Sequence, residues 1–227
     1  MLKQATATKS APQAHSTQYG AVFAARRTDA NPLDILGASM PFVRNVEIYG
    51  EDDPADYFYK VVSGMVRTCK ILSDGRRQIN AFYGPGEFFG LEVNGTHTLS
   101  AEAVEDTIVL VIKRSTIVTL ANSDSQVARQ LWLIAARELQ RMQDRALLLV
   151  KSARERVAGF LLEMASRRED DAVELPMSRQ DIADHLGLTI ETVSRTLTQL
   201  TNAAAIALPS ARHIVLRNRD ALALLNA

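Results

Sequence analysis

The sequence predicts an α+β protein in three parts: an antiparallel β-roll, one long helix, and a small helical domain closed by a β-hairpin. Three observations carry this. Between Phe42 and Ile117 short apolar-rich runs are separated by turn residues, without helices between them. After Asp124 the apolar spacing becomes a heptad that no Pro or Gly interrupts from Ser125 to Ser152. Beyond Leu175 two short amphipathic segments meet at a glycine, and a second turn-bounded β pair follows.

Composition narrows the function classes. The chain has 227 residues, 47% hydrophobic and 23% charged, so it can bury a core and is not disordered throughout. No apolar run approaches the roughly 20 residues that span a bilayer, which argues against a membrane protein. The opening Met1-Leu2-Lys3-Gln4-Ala5-Thr6 has no apolar stretch behind its lysine, against a secretory signal. A lone Cys69 makes neither an internal disulfide nor a multi-thiolate metal site, and a reducing, cytoplasmic setting fits. Charges balance at 26 against 26, and residues 176–227 carry five Lys and Arg against four Asp and Glu. A diffusely basic binder is therefore excluded, and any nucleic-acid function rests on placed residues.

Taken in order, residues 1–30 read as a mobile arm, rich in Ala, Thr, Ser and Gln near the start. The roll is placed at 31–120, after a helical turn at Asn31-Pro32-Leu33-Asp34-Ile35-Leu36 with Pro32 near its start. Its strands include Phe58–Val62, Met65–Leu72, Gln78–Phe82 and Thr107–Ile112. Asp74-Gly75 between two of them is a hairpin signal. In the helix, placed at 121–151, Trp132, Ala135, Leu139, Met142, Ala146 and Leu149 step by 3, 4, 3, 4 and 3. This seam, on a helix of about 25 residues, predicts a homodimer. A second apolar row, Val127, Leu131 and Ile134, is left to pack on the roll; a single core helix between two layers is the plainer alternative. Residues 153–168 form another amphipathic helix, with Val157, Phe160, Leu161 and Met164 on its apolar face and acidic Glu169-Asp170-Asp171 ending it.

The stretch from Ser178 to Leu197 carries the function. Ser178 with Asp181 is a capping box, and Ile182, Ala183 and Leu186 form a buried face. Gly187 stands where that helix must end with positive φ. Thr189 caps the next helix, which buries Val193, Leu197 and Leu200. This is a helix-turn-helix. Ile190, Glu191, Ser194 and Arg195 face outward at the N-terminal end of its second helix, the end that enters the major groove. An Arg donates two hydrogen bonds to guanine and a Glu accepts from cytosine, so Glu191 and Arg195, four apart, can read neighbouring bases. Ser178, Thr189, Thr192 and Ser194 offer hydroxyls for phosphates, and Ile190 suits a thymine methyl. A surface salt bridge between Glu191 and Arg195 is the bland alternative. The hairpin Ile206–Leu208, Pro209-Ser210-Ala211 and His213–Leu216 forms a wing, with Arg212 at its tip for a phosphate.

A β-roll, long dimer helix and winged helix-turn-helix in that order resemble the CRP/FNR family of bacterial transcription regulators over about residues 30–227. Glu191-x-x-Ser194-Arg195 is similar to the FNR and FixK branch, which reads a TTGA half-site in a palindrome. The resemblance implies that Arg195 reads the G, Glu191 its paired base and Ile190 the outer thymines. It implies a cyclic-nucleotide-binding-like roll and double-stranded DNA and RNA polymerase as partners. The tip Ser73-Asp74-Gly75-Arg76, with Arg77 after it, matches the place where relatives touch polymerase.

The same resemblance tests each effector. Gly86-Glu87-Phe88-Phe89-Gly90-Leu91 resembles the start of a phosphate cassette, where a Glu holds the ribose. His97 and Thr98 stand where an Arg-Ser pair should grip the cyclic phosphate, and without the Arg that charge-assisted contact is lost. Glu87 then reads as a structural turn residue. An iron–sulfur cluster needs four cysteines. Haem in carbon-monoxide-sensing relatives needs Cys or His where Gly90 and Glu92 stand. His97 reads as a solvated or hydrogen-bonded loop residue rather than a ligand, Cys69 as an inert strand residue, and Glu51-Asp52-Asp53 as a solvated loop. No triad, phosphate-binding glycine loop or metal-ligand spacing points to an enzyme. The expectation is a cofactor-free, metal-free FixK-type activator of oxygen-limited or nitrogen-fixation genes, set by its abundance. A haem- or nitric-oxide-responsive regulator is the alternative, and a cyclic-nucleotide-responsive one or a cupin-like enzyme comes after it.

Overall fold

The computed structural model describes residue 33 and residues 36–167 and 171–226. The arm at 1–30, most of the turn at 31–36 and the acidic pair Glu169-Asp170 lie outside them. Leu33 is fully buried under Leu110 and Ile112.

Eight strands build the roll: β1 Ala38–Phe42, β2 Glu47–Tyr49, β3 Tyr57–Ser63, β4 Val66–Ile71, β5 Arg77–Tyr83, β6 Phe88–Phe89, β7 Ser100–Ala103 and β8 Thr107–Lys113. They pair antiparallel as two four-stranded sheets, β1-β8-β3-β6 and β2-β7-β4-β5. Alternation turns Tyr49, Tyr59, Val61, Val66, Ala81, Phe89 and Val109 inward, and these rings and branched chains fill the space between the sheets. The Asp74-Gly75 turn joins β4 to β5, with Gly75 at φ +83° and its N–H donating to the Leu72 carbonyl (2.9 Å).

Helix α1 spans Arg114–Ser123. The β texture read through to Ile117 therefore ends four residues early. The β-branched run Thr116-Ile117-Val118-Thr119 looks like a strand, yet Ile117 is buried in a helix beside Val127 and Ile134, and packing overrides propensity. Asp124 then caps α2, Ser125–Leu147, accepting from Gln126 N (2.8 Å). Helix α2 has 23 residues, and a single 3₁₀ turn, Leu148–Val150, follows it. The helix stops short of Ser152 because Ser152 and Glu155 form a capping box that starts α3, Ala153–Ser166.

The two rows of α2 separate cleanly. Val127 and Ile134 are buried and Leu131 packs with them on the outer face of the first sheet. Trp132, Ala135, Leu139, Met142 and Ala146 are exposed on this chain, Trp132 at 74% and Leu139 and Met142 at 58%. The Leu149 side chain lies outside the described residues.

The rest comprises β9 Ala172–Glu174, α4 Arg179–Leu186, α5 Ile190–Asn202, β10 Ile206–Ala207, β11 His213–Leu216 and α6 Arg219–Asn226. The wing is a three-stranded sheet, β10-β11-β9, because residues 172–174 return to pair with β11. A single apolar cluster runs from Met65, Cys69, Ile79 and Phe82 of the roll into Phe160, Leu161, Ile182, Leu186, Val193 and Leu197. The helical domain is thus seated on the roll, not merely tethered to it.

Candidate nucleic-acid interface

The helix-turn-helix forms as the caps dictate. The Ser178 hydroxyl oxygen accepts from Asp181 N (3.0 Å), and Asp181 Oδ2 accepts from Ser178 N (2.9 Å). Gly187 ends α4 at φ +65°, a left-handed conformation that glycine adopts without a Cβ penalty. Thr189 Oγ1 then accepts from Thr192 N (3.2 Å) to open α5. Val193, Leu197 and Leu200 face the core, and Ile190, Glu191 and Arg195 are exposed on the opposite side.

Neither the Glu191 nor the Arg195 side chain has a hydrogen bond or ion pair among the described residues, so the salt bridge between them does not form. A carboxylate and a guanidinium one turn apart, both free, present an acceptor and a paired donor to an edge of stacked bases.

The hydroxyls differ in what they have left to offer. Ser178 donates its proton to Asp181 Oδ2 (2.8 Å), so it has none for a phosphate. The Thr189 and Thr192 hydroxyls lie 3.1 Å apart, one donating to the other. Ser194 Oγ accepts from Arg179 Nη1 (3.2 Å) and keeps its own proton free. Arg179, the first residue of α4, went unnoticed in the sequence; its signal was a cation at a helix start, beside the next helix. Arg212 is exposed at the wing tip. The hairpin tip Ser73–Arg76 is exposed as well, with Arg76 Nε on Asp74 (2.7 Å).

Behind the reading helix, α4 meets the roll. Arg77 holds both Asp181 and Asp184, and Arg67 lies 3.3 Å from Asp181. Burial pushes the Asp181 carboxyl up, but the Ser178 hydrogen bonds and the two arginines bring it below the ordinary range. His185 sits under Phe82 and Phe160, with Nδ1 3.3 Å from the Ile79 carbonyl. Burial, with the Arg145 charge, pushes its imidazole down to about 4.

The His185 ring therefore stays neutral in the fold while the unfolded chain titrates near 6.5. Stability is then whole above about pH 6.5, falls as pH drops towards 4, and levels off below that. In urea unfolding the wild type should lose about 1–2 kcal/mol more than His185→Gln between pH 7 and pH 5. Equal losses in the two proteins would contradict this.

The roll interior holds the effector positions. Glu87 is the turn residue expected, accepting from Gly84 N (2.6 Å), and it is more besides. Its carboxylate also pairs with Arg141 of α2 (2.5 Å) and with Arg167 just after α3. His97 is neither solvated nor hydrogen-bonded through its ring, contrary to expectation. It is 1% exposed, its ring stacks on Tyr49 at 3.6 Å, and Glu92 Oε1 lies 3.6 Å from Nδ1. Thr98 bonds Glu92 (3.2 Å). A cyclic nucleotide does not fit these groups: the ribose carboxylate is held by two arginines, and an imidazole stacked on Tyr49 replaces the phosphate-gripping guanidinium. Burial pushes the Cys69 thiol up to about 11, which suits an unreactive strand residue. Among the described residues, no group of three His, Cys, Asp or Glu is placed to hold a metal. No described helix is long and apolar enough to cross a membrane.

A Crp-like helix-turn-helix domain matches residues 155–225 and a cyclic nucleotide-binding domain matches residues 40–124. The nitrogen fixation regulation protein FixK of Azorhizobium caulinodans is 50% identical over 200 residues, 85% of this chain and 81% of that protein. FixK of Bradyrhizobium diazoefficiens is 42% identical, covering 76% of each chain. The solved structure of FixK2 from Bradyrhizobium japonicum superposes with a TM-score of 0.81 at 52% identity, over 85% of this chain and 98% of that one.

Proposed function

We propose, for a chain that belongs to the FixK-like branch of the CRP/FNR family of transcription regulators, that it reads a TTGA-type palindrome as a cofactor-free homodimer. Its helix-turn-helix domain and its likeness to the FixK nitrogen fixation regulators make the chain a DNA-binding transcription regulator and not an enzyme. The further steps are this chain's own. One observation carries the reading of bases: Glu191 and Arg195 stand unpaired and exposed on the outer face of a helix capped at its start by Thr189.

In this reading Arg195 takes the guanine of TTGA, Glu191 its paired base, and Ile190 the thymine methyls. Ser194, Arg179, Thr192 and Arg212 take phosphates, which set register without reading sequence. The exposed seam of α2 meets a second copy, and two α5 helices then lie about one DNA turn apart. Residues 31–120 support that helix, 121–151 dimerise and 152–227 bind DNA. The Ser73-Asp74-Gly75-Arg76 tip is the surface offered to RNA polymerase. The protein works in the cytoplasm. Binding needs no ligand because the chain's own side chains occupy the groups an effector would use, so abundance sets activity.

The test is a titration of protein purified in air, without additives, against TTGAT–N4–ATCAA and a TGTGA-type palindrome at one salt concentration. Tight binding to the first alone is expected. Binding only after addition of a cyclic nucleotide or haem, or only without oxygen, contradicts the cofactor-free reading.

A further inference from the structure

We propose that the roll sets the spacing at which the two recognition helices read, through an ionic clasp of Arg67 and Arg77 on Asp181 and Asp184 of α4. The clasp rests on the dimeric palindrome reading and adds its geometric control.

Asp181 does two things with its two oxygens. Oδ2 closes the capping box on Ser178, and Oδ1 takes Arg67 (3.3 Å) and Arg77 from the roll. The group that starts α4 is therefore the same group that ties it to β4 and β5. Arg77 reaches on to Asp184 Oδ2 (2.8 Å), and the Gln78 amide donates to the Asp184 carbonyl (2.5 Å). Arg67 is fixed in its turn by Glu102 of β7 (2.6 Å) and donates to Asn45 Oδ1 (3.5 Å). Near the far end of α4, His185 Nδ1 lies 3.3 Å from the Ile79 carbonyl of β5.

These contacts hold one helix at both ends from a rigid sheet. The chain passes from α2 to α3 through the turn at Leu148–Val150, Lys151 and extended Ser152, and the contacts of α4 with β4 and β5 tie the helical domain to the roll a second time. Helix α5 shares its apolar cluster with α4, so an oriented α4 orients Glu191 and Arg195. In a dimer, the angle of each α4 to its roll then determines the distance between the two α5 helices. One added base pair moves a half-site by about 3.4 Å and turns it by about a tenth of a turn, so a fixed α4 tolerates one spacing. These partly buried ion pairs act here as a positioning device rather than as net stabilisers.

The test is fluorescence anisotropy on TTGAT–ATCAA palindromes with spacers of three to six base pairs, using wild type, Arg77→Met, Arg77→Lys and Asp184→Asn. Wild type should prefer four. Arg77→Met and Asp184→Asn should lower the ratio of affinities for the four- and five-base-pair spacers about tenfold. Both should keep the base preference within a half-site and the dimer mass in sedimentation, and Arg77→Lys, which keeps the charge but loses the fork across the two carboxylates, should restore the ratio only in part. A merely structural loss would weaken every spacer alike. Unchanged ratios in Arg77→Met and Asp184→Asn overturn the clasp. If Arg77→Met fails to fold, Asp184→Asn, which keeps the side-chain shape, decides. A wild type indifferent to both spacing and half-site sequence overturns the palindrome reading itself, and the clasp with it.

Discussion

Arg195→Ala should cost about 1–3 kcal/mol of binding at each half-site and relax the preference at the guanine. The side chain is exposed, unpaired and one turn along from Glu191, so its removal disturbs no packing and leaves no buried partner stranded. Both half-sites lose the contact in a dimer, and the full effect on a palindrome is about twice that on one half. The decisive reading is a comparison with scrambled DNA at equal salt. Scrambled sequence should be bound nearly as before, with a salt slope smaller by at most about one per half-site. An equal loss on both duplexes would make Arg195 a phosphate contact and move base reading elsewhere.

Leu139→Glu should dissociate the dimer and, with it, palindromic binding. Leu139 sits mid-seam between Ala135 and Met142 and is 58% exposed on one chain, so the substitution leaves the monomer fold intact. In the paired helices it removes two leucines, each contributing about 1.5–3 kcal/mol when buried, and sets two carboxylates against one another. The dimer should weaken by at least about a hundredfold in sedimentation. Trp132, the chain's only tryptophan, lies seven residues away on the same seam and reports the same event. Its emission should shift to the red as its ring passes from the interface into water. A dimer of unchanged mass would contradict the seam.

The parts that could be read from the sequence are those whose physics is local. Ser178, Asp181, Gly187 and Thr189 bear caps that depend on residues three to five apart, and each has the geometry its type implies. The heptad spacing of α2 and the turn-bounded apolar runs of β3 to β5 are likewise short-range patterns. Features made by distant pairs were not legible. Arg67 and Arg77 lie more than 100 residues from Asp181, and nothing in a hairpin strand marks an arginine as a partner of a helix cap. The return of residues 172–174 to the wing was hidden in the same way, as a three-residue strand too short to carry a period. His97 was misjudged because loop position suggests solvent, whereas Tyr49, its stacking partner, comes from a strand far back in the chain. Ile117 shows the reverse error, where strong β-branching outweighed a helix decided by packing.

One view of the molecule joins these observations. In the proposed function the exposed face of α5 supplies the chemistry of reading, α2 meets the second copy, and the roll holds α4, while the roll's own interior is filled by Tyr49, Tyr59, Phe89 and His97. In that proposed function no ligand is needed to bring the reading helices into place.

The most direct measurement of that claim is selection from random duplexes by purified, additive-free protein at physiological salt. Enrichment of inverted TTGA repeats separated by four base pairs is the expected result. Enrichment of single or direct repeats, of TGTGA sites, or of nothing until a ligand is added would contradict it.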